Sequence, residues 1–118
     1  MDNVVCFSGN ILDSDSLLSG LKGCDVVVNL ATAIPKPGQS WERNDAIRRD
    51  GTSNLINVCY QLGIKRYIQQ GIAMLYKTTG DEWADEDSPF FPNDVTQSAA
   101  DMEALIKTSS LDWLILRG

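Results

Sequence analysis

Hydrophobic positions along the chain alternate between short runs rich in β-branched residues and longer stretches with helical spacing. The short runs predict strands at residues 3–7, 24–31, 66–72 and 111–116. The longer stretches predict a short helix between an Asp13 cap and Gly23, a long helix from about 41 to 62, and a third helix ending near 109. The resulting order β-α-β-α-β-α-β is typical of a parallel sheet with right-handed crossovers.

Two segments refine this pattern. The run Val26–Val28 is continuously apolar, which favours a strand buried on both faces, as in a parallel sheet. Residues 77–93 form the one long irregular stretch and contain five acidic residues. They lack the spacing of a Ca²⁺-binding loop, so we interpret them as a solvated loop.

Asp94 and Gln97 fit a variant of the capping box at the start of the third helix.

Composition narrows the possible partners. The 118 residues are 43% hydrophobic and 22% charged, as expected for one folded domain. The net charge of −6 argues against a nucleic-acid partner. No apolar run approaches the ~20 residues of a membrane span, so we expect no membrane partner.

Residue content also excludes several chemistries. The sequence contains no histidine, which rules out a histidine metal site or a Ser-His-Asp triad within these residues. Cys6, Cys24 and Cys59 form no C-x-x-C pair, and their apolar neighbours predict buried, reduced thiols. With no visible N-terminal signal, we expect a cytoplasmic protein.

Five motifs in order resemble one family. They are GNILD at 9–13, SLLSGLKGCDVVVNLATA at 16–33, the helix from Asn44 through GTSNL at 51–55, GIKRYI at 63–68 and LDWLILRG at 111–118. Together they resemble the NAD-dependent epimerase/dehydratase family, that is, extended or atypical short-chain dehydrogenase/reductases, including NmrA-like members. The resemblance implies an α/β fold: a Rossmann-like three-layer αβα arrangement with a parallel sheet of about four strands.

The resemblance also predicts what these residues lack. The family's first strand, with its G-x-x-G-x-x-G turn, has no counterpart here, nor does the C-terminal substrate region. We therefore expect residues 1–118 to form a single partial domain without the first β-α-β unit. The strand at 3–7 is then expected to close directly against 24–30; the alternatives are that a second copy supplies the missing edge, or that the sequence is a truncated product.

The family's catalytic positions hold other residues. By alignment to the motifs, Ile72 occupies the position of the family's Ser or Thr, Val95 that of its Tyr, and Ala99 that of its Lys. Since none of these side chains can exchange a proton, no catalytic residue is predicted. We expect a fragment or truncated homologue of an NAD(P)-dependent nucleotide-sugar epimerase/dehydratase-type oxidoreductase with impaired catalysis. The alternatives are a non-catalytic NmrA-like ligand-binding or regulatory module, and a structural or assembly protein without bound cofactor.

The resemblance implies a set of cofactor contacts. Asn10 and Ile11 align with the family's adenine contacts, and Ala31, Thr32 and Ala33 with residues along the ribose and phosphates. Each also has a plain structural interpretation, as a turn or as close packing. The implied cofactor is NAD or NADP, with binding weak or absent in this chain. No metal site is predicted.

The predicted partner is a second copy of the chain. If the strands that normally flank 24–31 are missing, apolar sheet edges are exposed, which is an aggregation liability unless they are covered. We therefore expect a homo-oligomer, a dimer formed through these sheet edges.

Overall fold

The computed structural model describes residues 4–72 and 96–117. Its elements in chain order are α1 (Ser14–Leu21), β1 (Val26–Asn29), α2 (Glu42–Ala46), a π-helical turn (Ile47–Gly51), α3 (Thr52–Leu62), β2 (Arg66–Gly71), α4 (Gln97–Thr108) and β3 (Asp112–Arg117). The predicted alternation of strands and helices is confirmed from residue 13 onward within these ranges.

The strands form a parallel sheet in the order β1-β2-β3. Val27, Tyr67 and Trp113 lie side by side across it, and Asn29 pairs with Gln69 two residues further on. Paired residues of a parallel ladder share a face, and alternate residues of a strand point to opposite faces. The buried residues Val27, Asn29, Tyr67 and Gln69 therefore define one covered face.

The core lies between this face and the helices. It contains nine buried side chains: Val27, Leu55, Ile56, Cys59, Ile64, Tyr67, Met102, Ile106 and Leu111. Leu17 and Leu21 of α1 pack against its margin, so α1 lies on the same side as α3 and α4. Most of the favourable folding free energy comes from burying this apolar surface.

The helix ends follow the predicted signals. Asp13 caps α1, its Oδ1 accepting a hydrogen bond from the Asp15 amide at 3.1 Å. Gly63 ends α3 in the left-handed conformation, with φ of 73°, where a residue without a Cβ is favoured. The long predicted helix is confirmed as α2, the π-helical turn and α3 in continuous right-handed helical backbone.

One cap prediction is wrong. Thr96, not Asp94, precedes the first residue of α4, and it makes no side-chain cap hydrogen bond. The Gln97 side chain instead donates to Asp101 Oδ1 at 3.0 Å, one turn further along the helix. Side chains four residues apart lie on the same face of a helix, so the Gln97 amide hydrogen-bonds to the Asp101 carboxylate and not to the backbone that precedes the helix.

The predicted strand at 3–7 is not present over its described residues 4–7, so the sheet has three strands rather than four. β1 pairs with β2, and the expected closure of 3–7 against it does not occur. Phe7 instead lies beside Gly20 of α1, where an added Cβ would meet Phe7 Cβ at 3.6 Å. A β-branched run forms a strand only where a neighbouring backbone completes its hydrogen bonds, and the 4–7 segment has no such neighbour among the described residues.

The predicted three layers are reduced to two within the described residues. Helices α1, α3 and α4 pack on the Val27–Tyr67 side, because α1 contacts α3, α3 contacts α4, and the core side chains of α3 and α4 cluster with Val27 and Tyr67. The opposite face remains open: Val28, Leu114 and Leu116 are each more than half exposed. A continuous Val run therefore did not indicate burial on both faces in this chain.

The thiol prediction is correct for one cysteine. Cys59 is buried in the core, whereas Cys6 and Cys24 are exposed, since they lie outside the helices and strands. Burial raises the pKa of the Cys59 thiol to about 11, which makes this side chain unreactive at neutral pH.

Several predictions lie outside the described residues: the acidic loop at 77–93, Asp94 and Val95. Among the described residues, no helix combines the length and the apolar character needed to span a membrane.

Candidate functional site

A small cavity lies where the strands end at the carboxyl edge of the sheet. Its volume is about 180 Å³. It is lined by Leu30, Ala31, Thr32, Ile34, Arg48, Gln69, Gln70, Gly71, Ile72, Ala99 and Met102. In open parallel α/β sheets, ligands bind outside the carboxyl ends of the strands, so this cavity is the candidate site.

Buried amide groups organise the floor of the cavity. Asn29 Nδ2 donates to Gln69 Oε1 at 3.0 Å and to Tyr67 Oη at 3.0 Å. The Tyr67 hydroxyl donates to the same Gln69 oxygen at 2.6 Å. Burial raises the pKa of Tyr67 well above its usual value, although its hydrogen bond with Asn29 acts in the opposite direction. The tyrosine is therefore a neutral structural group and not a proton donor of ordinary strength.

The same network turns the chain as it leaves β1. Asn29 Oδ1 accepts a hydrogen bond from the Ala31 amide at 3.0 Å. The next two residues, Thr32 and Ala33, are held by Asn44 of α2, which is fully buried. Asn44 Oδ1 accepts from the Thr32 hydroxyl and from the Ala33 amide, both at 3.1 Å. These bonds hold the 31–33 segment at the edge of the sheet, where Ala31 and Thr32 line the cavity.

Among the described residues of the lining, Arg48 carries the charge. Its Nη1 donates to Ser98 Oγ on α4 at 3.3 Å, so the side chain spans from the π-helical turn to α4. Burial lowers the pKa of Arg48, while the nearby charge of Asp45 partly opposes this shift. An arginine still remains protonated at any physiological pH.

An ion pair fixes the helix that closes the site. Glu103 of α4 is 1% exposed and accepts from Arg117 Nε at 3.0 Å and from Arg117 Nη2 at 2.5 Å. Removing one member of such a buried pair typically costs about 3–5 kcal/mol. Gly71 lies beneath this pair, where an added Cβ would be 3.2 Å from Ile115 Cγ2. The absence of a side chain at Gly71 lets α4 approach the sheet closely.

The predicted cofactor residues fall into two groups. Ala31 and Thr32 line the cavity and Ala33 is anchored beside it. Asn10 and Ile11 lie at the entry to α1 and are not part of this lining. Asn10 Oδ1 accepts from the Leu12 amide at 2.9 Å, which is the arrangement of an Asx turn.

Ile11 has a clear packing role. A Cβ added to Gly51 would lie 3.0 to 3.2 Å from three side-chain atoms of Ile11. The Ile11 side chain therefore packs directly against the π-helical turn. The Asn54 amide donates to the Ile11 carbonyl at 3.1 Å, which ties α3 to the same turn. The structural interpretation therefore accounts for the contacts of Ile11, and its role towards a cofactor stays a prediction.

Sequence reasoning did not single out Arg48 or Gln69 as residues of this site. A signal for each was present: Asn44, Arg48 and Thr52 are spaced by four along one helix, which places three polar groups on a single face. Gln69 occupies an inward position of a strand between Tyr67 and Gly71. Polar residues at positions that should be buried indicate a hydrogen-bonded network.

Two of the three positions aligned with the family's catalytic groups lie at the cavity. Ile72 and Ala99 both line it, and neither carries a group that can transfer a proton. Val95, the third position, lies outside the described residues. The described residues contain no cluster of acidic or cysteine side chains suited to a metal ion.

A family model described as NAD(P)H-binding matches residues 1–118. The chain belongs to this NAD(P)H-binding family. Family membership and the fold agree with the resemblance predicted from the five motifs, and they confirm it.

This member of the NAD(P)H-binding family is similar to several known proteins in sequence or in structure. The chain is 27% identical over 119 residues to a 3-diazoavenalumate denitrifying reductase from a Streptomyces species, a match covering 90% of the chain and 39% of the relative. Its fold superposes with a TM-score of 0.79 on WbmG of Bordetella bronchiseptica, solved with NAD and UDP, at 24% identity and over 94% of the chain and 36% of that protein. RMD of Pseudomonas aeruginosa, solved with NADPH, gives 0.81 at 21% identity, over 97% and 42%.

These matches confirm the predicted Rossmann-like α/β fold. The chain spans less than half the length of each of the three proteins. The UDP-N-acetylglucosamine 4-epimerase of Methanobrevibacter ruminantium also has a similar structure, with a TM-score of 0.77 at 25% identity over 92% of this chain and 37% of that one.

The cavity fits one end of a dinucleotide rather than the whole molecule. Pockets that enclose a complete small-molecule ligand are typically about 300–1,000 Å³, larger than the 180 Å³ found here. The exposed small side chains of Ala31 and Thr32 permit the close approach that a ribose or a phosphate requires. The residues present are therefore compatible with part of an NAD(P) molecule at this edge.

Replacing Asn44 by Ala should loosen the 31–33 segment. The substitution removes the acceptor shared by Thr32 and Ala33, and we expect a loss of stability of about 1–3 kcal/mol together with faster amide exchange at Ala33. Native-state hydrogen exchange measures both. Asn57→Ala, on the exposed side of α3, is the control and should change neither. Unchanged exchange at Ala33 in the Asn44 variant would contradict the anchoring role.

The ionisation of Tyr67 should make the fold sensitive to alkali. Because its pKa is higher in the folded state than the ordinary value of 10.0, the unfolded chain releases this proton first, and stability falls as pH rises above about 10. Chemical denaturation of the Tyr67→Phe variant should show a shallower alkaline decline. Tyr60→Phe is the control: the pKa of Tyr60 is lowered by its hydrogen bond with Ser110, so removing it should leave the decline in place. Parallel curves for wild type and Tyr67→Phe would refute the assignment.

Proposed function

We propose that this chain forms the central part of an NAD(P)-binding site in a protein related to nucleotide-sugar epimerase/dehydratases and reductases. The 31–33 segment would contact the ribose and phosphates, and Asn10 and Ile11 would lie towards the adenine. The observation that carries the proposal is the anchoring of Thr32 and Ala33 by the buried Asn44, which presents small residues at the carboxyl edge of the sheet. A bound nicotinamide cofactor would supply hydride transfer.

The proposed chemistry of this chain is limited by its own side chains. In the resembling family a tyrosine supported by a lysine exchanges the substrate proton, and here Ala99 stands at the lysine position. The buried hydroxyl of Tyr67 is held neutral by burial and donates to Gln69, which lines the cavity. Catalysis by these residues is therefore expected to be impaired.

A non-catalytic role is the second candidate. The specific observation in its favour is that Ile72 and Ala99 both face the cavity and make its wall more apolar. A wall of this kind suits binding better than proton transfer. A regulatory module that binds a dinucleotide or another small ligand would use the same cavity.

Titration of NAD and NADP followed by NMR tests the proposal. We expect weak binding, with dissociation constants of roughly 1 mM, and shifts in the amide signals of residues 31–33. Ala31→Leu should remove the shifts by filling the approach, whereas Ala104→Leu, on the exposed side of α4, should not. Micromolar binding without turnover would favour the regulatory module. An absence of shifts at residues 31–33 would contradict dinucleotide binding at this edge.

We also propose that two copies of the chain associate through the sheet. β1 has β2 on one side and no strand on its other side among the described residues, so one edge keeps unpaired backbone groups. The adjoining open face exposes Val28, Leu114 and Leu116. Exposed edges and apolar patches of this kind are typical of interaction surfaces, and a twofold axis would let one edge pair with its own copy.

The dimer proposal predicts a solution mass of twice 13.0 kDa by light scattering. Val28→Glu places a charge on the open face beside the free edge, and we expect it to shift the protein towards monomer. Thr108→Glu lies at the end of α4 on an exposed surface and should leave the mass unchanged. A folded wild-type monomer would contradict this proposal.

A further inference from the structure

Two asparagines of one helix hold the two segments that the proposed function assigns to the cofactor. Asn44, before the π-helical turn, accepts hydrogen bonds from the 31–33 segment. Asn54, after the turn, donates to the Ile11 carbonyl at 3.1 Å. The backbone between the two asparagines is continuously helical. The orientation of one asparagine relative to the other is therefore set by the winding of the helix through the turn.

The π-helical turn changes this winding by about one residue. Its hydrogen bonds join residues five apart instead of four, so the turn carries one residue more than an α-helical turn. One residue corresponds to about 100° of rotation, because 3.6 residues complete a turn of α-helix. If the same residues were wound as an α-helix, Asn44 would be rotated by about that angle relative to Asn54. The contacts with the 31–33 segment and with Ile11 would then no longer form together.

Gly51, the last residue of the turn, is buried under Ile11. A Cβ added to Gly51 would lie 3.0 Å from Ile11 Cγ2 and 3.1 Å from Ile11 Cγ1, which is closer than side chains normally pack. Ile11 also packs against the hydrophobic core, and its carbonyl is held by Asn54. Since Ile11 is fixed in these two ways, a side chain at position 51 would displace the helix as readily as Ile11.

The turn is also held by α4. Arg48 Nη1 donates to Ser98 Oγ at 3.3 Å. The next residue, Arg49, forms an ion pair with Asp101 through its Nε at 2.9 Å. Two consecutive residues of the turn thus reach the same neighbouring helix, and a change of winding would disturb both contacts.

From this arrangement we infer that Gly51 is a positioning residue: the close packing of Ile11 on Gly51 maintains the π-helical winding and so couples Ile11 to the 31–33 segment through Asn44. The inference rests on the proposed function for its meaning, because it makes the contacts at the two ends of the dinucleotide site depend on one helix. The coupling itself belongs to the chain alone and is measured without a cofactor.

Native-state hydrogen exchange of Gly51→Ala in the full chain tests the coupling. We expect the Ala33 amide to exchange about tenfold faster relative to the core amides of Val58 and Tyr67, the factor that corresponds to the loss of one hydrogen bond. A residue with only a structural role would speed all these amides together. Unchanged exchange at Ala33 in a variant whose Ile11 signals shift would overturn the inference.

Two further variants serve as control and rescue. Gly20→Ala is the matched control, because Gly20 is also helical and its added Cβ would meet Phe7 at an ordinary 3.6 Å. It should leave the exchange of Ala33 as in the wild type. Combining Ile11→Ala with Gly51→Ala should restore most of the slow exchange, because the added Cβ then occupies part of the space that the Ile11 side chain vacates. Failure of this rescue would contradict the inferred contact.

A second pair of variants adds no atoms at the turn and so does not depend on the folding of Gly51→Ala. Ile11→Ala should speed the exchange of Ala33 in the otherwise wild-type chain. It should add little in an Asn44→Ala background, where the hydrogen bond to Ala33 is already absent. Equal accelerations in the two backgrounds would overturn the inference. Coupling in a chain that shows no shifts with NAD or NADP would support it while refuting the proposed dinucleotide site.

Discussion

The hydrogen bonds among Asn29, Tyr67 and Gln69 are the constraint on which the rest of the site depends. Each of these side chains points from the sheet into the layer beneath the helices, where an unsatisfied polar group would cost about 1–3 kcal/mol. A shift of one residue between β1 and β2 would turn Asn29 away from Gln69 and leave both amides unpaired. Satisfying these groups therefore fixes the strand register, and with Asn29 Oδ1 also fixes how the chain departs towards Ala31.

A second consequence of this arrangement is that the two faces of the sheet differ in their polar and apolar groups. The covered face combines an apolar core near the amino ends of the strands with polar networks near their carboxyl ends, where the cavity lies. The open face carries Val28, Leu114 and Leu116 without comparable polar order. Among the described residues, the hydrogen-bonded polar network of the sheet and the cavity thus lie on one side and at one edge, whereas the open side exposes apolar surface.

The sequence predicts the helices well, because their signals are local. Asp13, Gly63 and the three- and four-residue spacing between 41 and 62 each act within one or two turns of the chain. The strand at 3–7 fails because strand formation depends on a neighbour that local pattern cannot reveal. The exposure of Cys6 and Cys24 follows from the same failure, since burial was inferred from apolar neighbours that did not form the expected layer.

The candidate site shows the same division between local and non-local information. Motif resemblance led to Ala31, Thr32 and Ala33, which do lie at the cavity or beside it. Arg48 and Gln69 required knowledge of which helix turn faces which strand, a relation between residues more than twenty positions apart. Asn44 is intermediate, because a structural hydrogen bond to the strand-end loops is the expectation for the polar residues of its helix, whereas the particular partners Thr32 and Ala33 depend on the tertiary structure.

Ile72 and Ala99, which stand at two of the family's proton-transfer positions, change the electrostatic surroundings of Arg48. With Ile72 and Ala99 in the wall, water is held less firmly at the cavity, and the field of Arg48 is screened less than it would be beside hydroxyl and ammonium groups. A lysine at position 99 would also add a second positive charge near Arg48 and raise the cost of burying both. The apolar wall formed by Ile72 and Ala99 is therefore compatible with the partly buried guanidinium of Arg48, and neither of the two side chains can exchange a proton.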